Sequence, residues 1–201
     1  MNEINYENMI FFDLETSGRD WNKHEIIQVA AIDATTGDEF MRRLDFDIDK
    51  AEPEALEVNG FNEELWDKEA VSQEEAILDF TRFLRRHARL EFLNKKTNRQ
   101  YKLAALAGFN VMAFDKFFLR EWYDKWNIFM PADYRMYDFL QLALWKYPNL
   151  KAYNLQALCK YLELEDRDFH DALVDVRATI EIAKVILSSP LNFTPVKWSE
   201  K

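Results

Sequence analysis

Apolar and polar positions along this chain fall first into short runs of strand character and later into helical periodicities. Residues 9–12 are uniformly apolar, which predicts a buried strand. Ile26, Ile27, Val29 and Ile32 within 25–34 predict a second, and 40–48, where apolar and charged residues roughly alternate, a third nearer a sheet edge. Short turn signals such as TTGDE join these into an antiparallel meander. From Ser72 onward the period changes. Ala76, Phe80, Phe83 and Leu84 keep core spacing on a helix, and Ser72 with Glu75 has the spacing of a capping box. The run KLAALAGF at 102–109 predicts a strand, and 110–126 a helix with Phe114, Phe117, Phe118, Trp122 and Trp126 on one face. Residues 136–147 suggest a short extended piece entering a helix stopped by Pro148. A further helix over 154–164, a polar loop at 166–169, and a long helix over 171–187 ended by Pro190 follow. The tail from 191 shows no period.

These elements describe one α/β domain over 1–201, with its core at about 9–187 and a C-terminal tail at 188–201. A hydrophobic content of 48% excludes a disordered chain, and the N-terminus lacks the basic start and apolar stretch of a signal peptide. With no window of about 18 consecutive apolar residues, the expectation is a cytoplasmic protein without a membrane partner. The single cysteine, Cys159, lies in an apolar-periodic segment and reads as a buried structural thiol.

A formal net charge of −10 argues against gripping nucleic acid by bulk electrostatics. Two segments qualify that picture. Residues 45–79 are densely acidic, with Lys50 and Lys68 their only bases, and read as a solvated surface of short helices. Residues 82–102 concentrate Arg82, Arg85, Arg86, Arg89, Lys95, Lys96, Arg99 and Lys102 around His87, Phe92 and Tyr101. That segment is either a phosphate-contacting surface or a solvated helix exit followed by the flexible loop NKKTNRQYK. Both remain open at this point.

Chemistry concentrates at the end of the first strand. Asp13 and Glu15 are separated by one residue, so a strand aims both carboxylates the same way. Burying such a pair costs on the order of several kcal/mol per ion unless a cation compensates. Asp115, near the start of a helix, and His170 and Asp175, at the start of the last long helix, supply further suitable groups. Four carboxylates suit two Mg²⁺ or Mn²⁺ ions, hard cations that prefer oxygen ligands. Such a pair can activate water and stabilise the leaving oxygen of a phosphodiester. A histidine with a pKa near 6.5 is suited to accept the water's proton.

Three ordered motifs carry a family resemblance. DLETSG at 13–18, GFNVMAFDKFFL at 108–119 with Asn-x4-Asp, and HDALVDV at 170–176 with His-x4-Asp resemble the DEDDh 3′–5′ exonucleases, of the proofreading-subunit and oligoribonuclease superfamily. The resemblance implies a ribonuclease H-like fold, a mixed five-stranded sheet flanked by helices. It further implies that Asp13, Glu15 and Asp175 ligate one ion, that Asp13 bridges to a second with Asp115 nearby, and that His170 is the general base. Thr16 matches a position lying against the 3′-terminal nucleotide, and Asn110 one that supports the second motif. The implied reaction releases nucleoside 5′-monophosphates from the 3′ end of DNA or RNA, with a single-stranded substrate expected. The alternative is a nuclease-fold subunit that works mainly as a binding or proofreading partner of a polymerase. Ser17 departs from the more usual threonine, and Asp138 reads as a helix N-cap rather than a site acid.

Overall fold

The computed structural model describes residues 6–165 and 169–188. The expected polar loop at 166–169 lies mostly outside them, as does the tail from 189 onward. The chain opens with the predicted meander: β1 (Ile10–Thr16), β2 (Ile26–Asp33) and β3 (Glu39–Arg43), all antiparallel neighbours. The first strand therefore continues past residue 12 through both acids, and the third stops short of residue 48. Two short helices, α1 (Pro53–Val58) and α2 (Glu63–Glu69), carry most of the acidic segment on exposed surface before α3 (Gln73–His87) begins. Ser72 caps α3 by accepting from the Glu75 N–H.

The next segment departs from expectation. NKKTNRQYK is no flexible loop: β4 (Leu90–Asn94) and β5 (Arg99–Leu103) form a separate two-stranded hairpin. Its strands are mostly exposed on both faces, so they carry no alternation to read. Asn98 supplies the positive φ of its turn, and Phe92 stacks across the pair on Tyr101. The run expected as one strand is consequently split between β5 and β6 (Leu106–Gly108).

Strand β6 pairs in parallel with β1, and β7 (Tyr137–Asp138) pairs in parallel with β6, giving the mixed five-stranded order β3-β2-β1-β6-β7. Helix α4 (Asp115–Lys125) crosses between β6 and β7, and α5 (Phe139–Lys146), α6 (Leu155–Tyr161) and α7 (Ala172–Leu187) complete the chain. Alternation along β1 divides the core. Ile10, Phe12 and Leu14 pack on one face with residues of α3 and α4, whereas Met9 and Phe11 pack on the other with those of α5, α6 and α7. Cys159 is buried on that second face. Of the aromatic stripe on α4, Phe118 and Trp122 are core, while Phe117 is exposed and stacks on Trp21.

The hairpin is tied to the sheet by a buried ion pair. Asp33, fully buried at the end of β2, receives bonds from the Arg89 guanidinium at 2.8 and 2.6 Å and from Thr36 Oγ1 at 2.9 Å. Burial opposes its ionisation, but Arg89 and Thr36 outweigh that and hold its pKa below the ordinary range. Removing the carboxylate strands a half-buried guanidinium and the His87 imidazole, whose Nδ1 is 2.9 Å away. Asp33→Ala is expected to lower stability by about 3 kcal/mol, at the low end for a broken buried pair because Arg89 keeps solvent contact. Urea unfolding monitored by circular dichroism measures this directly.

Candidate active site

The site grows from the place where β1 loses a neighbour. Parallel pairing of β1 with β6 covers only Ile10 with Leu106 and Phe11 with Ala107. Beyond it the chain turns away through Asn110, whose φ is +63°. The turn is tight: a Cβ on Gly108 would lie 2.2 Å from Val111 Cγ1 and 2.7 Å from the Phe12 carbonyl oxygen, so only glycine fits. The edge of β1 that β6 leaves open is closed by a side chain. The Leu14 N–H donates to Asp115 Oδ1 at 3.1 Å, fastening the first turn of α4 to the strand. Beneath this turn Asp138 accepts from the N–H groups of Asn110 (3.0 Å), Met112 (3.1 Å) and Leu140 (3.0 Å). It is thus the N-cap of α5, as its sequence position suggested, and also a brace for the second motif.

Strand periodicity directs Asp13 and Glu15 to the same side as Phe11, the side covered by α7. Asp175, in the first turn of α7, meets them there. One carboxylate oxygen from each of Asp13, Glu15 and Asp175 lies within 4.8 Å of the other two. Asp115 is outside this group of three, though its charge still acts on Asp13 and Glu15. His170 precedes α7 with an exposed side chain and a φ of +76°, a left-handed conformation uncommon outside glycine. Thr16 is buried, with its hydroxyl donating to the Gly18 carbonyl at 2.8 Å and its own carbonyl accepting from Asn59 Nδ2 at 2.9 Å. Ser17 Oγ accepts from the Glu25 N–H at 2.9 Å, so the serine in the motif ties down the returning loop.

Carboxylates this close cannot all remain ionised alone. Two like charges at such a distance repel by on the order of 3 kcal/mol even at an effective dielectric constant of 20, against a total domain stability of about 5–15 kcal/mol. Burial, compounded by the neighbouring acids, drives Asp13 well above the ordinary carboxylate range and pushes Glu15 up to about 8. Burial likewise pushes Asp115 up to about 7, against the Leu14 N–H, and Asp175 up to about 7, against the His170 N–H. Asp175 Oδ1 is buried with no hydrogen-bond partner among the described residues. An all-oxygen, multiply acidic pocket with an orphaned buried acceptor fits a hard divalent cation.

Two residues of the site escaped sequence reasoning. The register sets Gln28 opposite Glu15, and its buried amide donates to Asp171 Oδ2 at 3.2 Å. Asp171 caps α7 by accepting from Leu173 and Val174, so Gln28 steadies the helix that delivers Asp175. The place of Asp171 just ahead of the last helical period is the signal that could have marked it as a cap, whereas only strand register could reveal Gln28. Beside the acids a cleft of about 660 Å³ is lined by Leu14, Thr16, Arg19, Val58, Asn59 and Phe114, among others.

A mixed sheet of this order, with acids at the parting of its parallel strands, defines the class: an α/β ribonuclease H-like fold with an acidic, metal-type site. The model of the exonuclease family RNase_T matches residues 10–183. The chain belongs to that exonuclease family. It is similar, at 27% identity over 173 residues, to the PolC-type DNA polymerase III of Halalkalibacterium halodurans, covering 85% of this chain and 11% of the polymerase. In fold it is similar to E. coli exonuclease I solved with a dT13 oligonucleotide, with a TM-score of 0.70 at 20% identity over 89% of this chain and 40% of that one. Exonuclease I of Methylocaldum szegediense gives a TM-score of 0.66 at 22% identity, over 89% and 39% of the two chains. The chain therefore spans well under half the length of these relatives. Among the described residues, no helix is long and apolar enough to cross a membrane.

The raised carboxyl pKa values have a definite sign. Without a cation the folded state binds more protons than the unfolded state between about pH 4 and pH 8, so stability falls as pH rises through that window. In EDTA the melting temperature should drop from pH 5 to pH 8. A cation at a hundredfold excess over its Kd should restore about 2.7 kcal/mol, or about 5–10 °C, at pH 8. Asp175→Asn should shrink that cation-induced rise, which differential scanning fluorimetry reads without any assay of activity.

Proposed function

We propose that this chain is a divalent-cation-dependent 3′–5′ exonuclease that hydrolyses single-stranded nucleic acid from its 3′ end and releases nucleoside 5′-monophosphates. The observation that carries the reading is the convergence of Asp13, Glu15 and Asp175 within 4.8 Å at the parting of β1 and β6. These three residues would hold one Mg²⁺ or Mn²⁺ ion, with Asp13 shared toward a second ion near Asp115. Two such ions, when bound, supply Lewis acidity toward the phosphodiester and lower the pKa of an attacking water.

The chain's own groups account for positioning and proton transfer. Thr16 is held by Gly18 and Asn59 at the mouth of the cleft, and its backbone would lie against the terminal nucleotide. Leu14, Val58 and Phe114 offer apolar surface for the terminal base. Asn110 forms the turn that sets Asp115, with Asp138 bracing it. His170 accepts the proton of the attacking water. Its exposure and its strained backbone suit an approach to substrate from the side, since strain retained in a folded chain tends to mark functional positions.

The oligonucleotide-bound exonuclease I relative supports a single-stranded substrate, and similarity to a polymerase supports a second reading. In that reading the domain works as the proofreading part of a polymerase assembly. Robust turnover by the isolated chain would argue against it.

Incubating the purified protein with end-labelled single-stranded DNA, duplex DNA and short RNA, with Mg²⁺ or Mn²⁺ or with EDTA, tests activity, polarity and substrate class on one gel. Asp13→Asn is expected to abolish product while leaving the EDTA-treated protein at least as stable, because it replaces a carboxyl group whose ionisation burial and the neighbouring acids oppose. His170→Asn keeps a side chain that tolerates the left-handed backbone, so stability should change by no more than about 0.5 kcal/mol. Its turnover should fall by about 10²–10⁴-fold, the usual contribution of a general base. Undiminished turnover in either variant would sink the assignment.

A further inference from the structure

The basic segment resolves into two groups of different employment. Arg82 is held by Asp79 and Arg89 by Asp33, so these cations are engaged within the fold. Arg85, Lys95, Lys96 and Arg99 are exposed and form no ion pair among the described residues. Register places Asn94 opposite Arg99 and Phe92 opposite Tyr101 on one face of the hairpin, the face of Leu90 and buried Leu103. A groove of about 590 Å³ runs between the hairpin, the end of α3 and the segment after α4, lined by Arg85, Thr97, Arg99, Tyr101, Lys102 and Phe129.

Phe129 is 66% exposed and Tyr101 40% exposed, and both line the groove alongside Arg85 and Arg99. We propose that this groove binds a single-stranded segment of nucleic acid, with bases on the Phe129 and Tyr101 rings and phosphates on Arg85 and Arg99, whereas Lys102 is paired with Glu91. Charge complementarity selects a polyanion, because this is a concentrated cationic surface on a chain with a net charge of −10. The rings select unpaired bases over a duplex or an acidic polypeptide, since stacking platforms interleaved with arginine are how single strands are held without sequence preference.

The groove is separate from the carboxylates. The hairpin leads into β6, whose Leu106 lies beside Ile10 at the start of β1, and Arg89 at its base holds Asp33, which faces Ile10. Glu15 lies about 17 Å further along that strand. Given a polynucleotide at the carboxylates, as proposed above, the groove engages the strand several nucleotides upstream of the end being cut. Long substrates gain affinity there and minimal ones do not.

Fluorescence anisotropy in EDTA, with labelled oligothymidylates of about 5 and about 20 nucleotides, reads binding without cleavage near the lower end and beyond the upper end of usual single-strand site sizes. The longer strand should bind more tightly, and Phe129→Ala should weaken it about tenfold, with little change for the shorter. Arg85→Ala combined with Arg99→Ala should reduce the slope of log affinity against log salt by about 1.4, the value for two phosphates on a single strand. Hydrolysis of the p-nitrophenyl ester of thymidine 5′-monophosphate, too small to reach the hairpin, should be unchanged in every variant. Equal affinity for both lengths overturns the proposal, as do variants of native melting temperature that bind the long strand like the parent. Preferential, arginine-dependent binding of polyglutamate over oligothymidylate overturns it in favour of an acidic protein segment. If the parent protein fails on the ester, the nuclease reading falls, while length-dependent binding still decides the groove.

Discussion

The edge that β1 exposes when β6 turns away is the constraint on which the rest of this architecture depends. A buried strand cannot leave its N–H groups unpaired, and after two residues of parallel pairing no neighbouring strand is available. Asp115 answers that need through Leu14, which at once closes the edge, starts α4 and sets a carboxyl group beside the site. Gly108, Asn110 and Asp138 serve the same turn by removing a side chain, accepting a left-handed backbone and gathering three N–H groups. The crevice exists because two parallel strands part, and ligands of open α/β sheets characteristically enter at the carboxyl ends of such strands.

The crevice also concentrates a charge problem. Asp13, Glu15 and Asp175 are driven together by packing that has nothing to do with their own preferences: β1 is pinned by the core on both faces, and α7 lies against β1 and β2 through Val176, Ala183 and their neighbours. Their mutual repulsion is held in check by protonation or by a cation, and the orphaned Asp175 oxygen favours the second. A protein that spends stability on such an arrangement differs from one whose acids merely decorate its surface, as those of α1 and α2 do.

Charge is sorted in space as well as in sequence. The acidic helix α1 lines the cleft beside Glu15, the exposed Lys95, Lys96 and Arg99 lie on the hairpin, and the overall balance of −10 conceals both. In the proposed reaction this division lets one surface attract a polyanion while the acids, neutralised by their ions, work on its end.

Much of the site was legible in the sequence because local spacing dictates side-chain direction. Asp13 and Glu15, two apart on a strand, had to share a face, and Asp138, just ahead of an apolar helix, had to be a cap. The meander, the later helices and the buried Cys159 followed from periodicity alone. Periodicity failed at the hairpin, where strands exposed on both faces have no buried side to mark, and at Phe117, whose helical position matched the core stripe but whose ring found Trp21 instead. Only the folded chain decided that Gln28 would steady Asp171, that Asp115 would stand outside the three converging acids, and that the basic segment would form a groove. Those are contacts between segments far apart in sequence. They depend on strand register and helix packing across the whole domain, which spacing within any one segment does not carry.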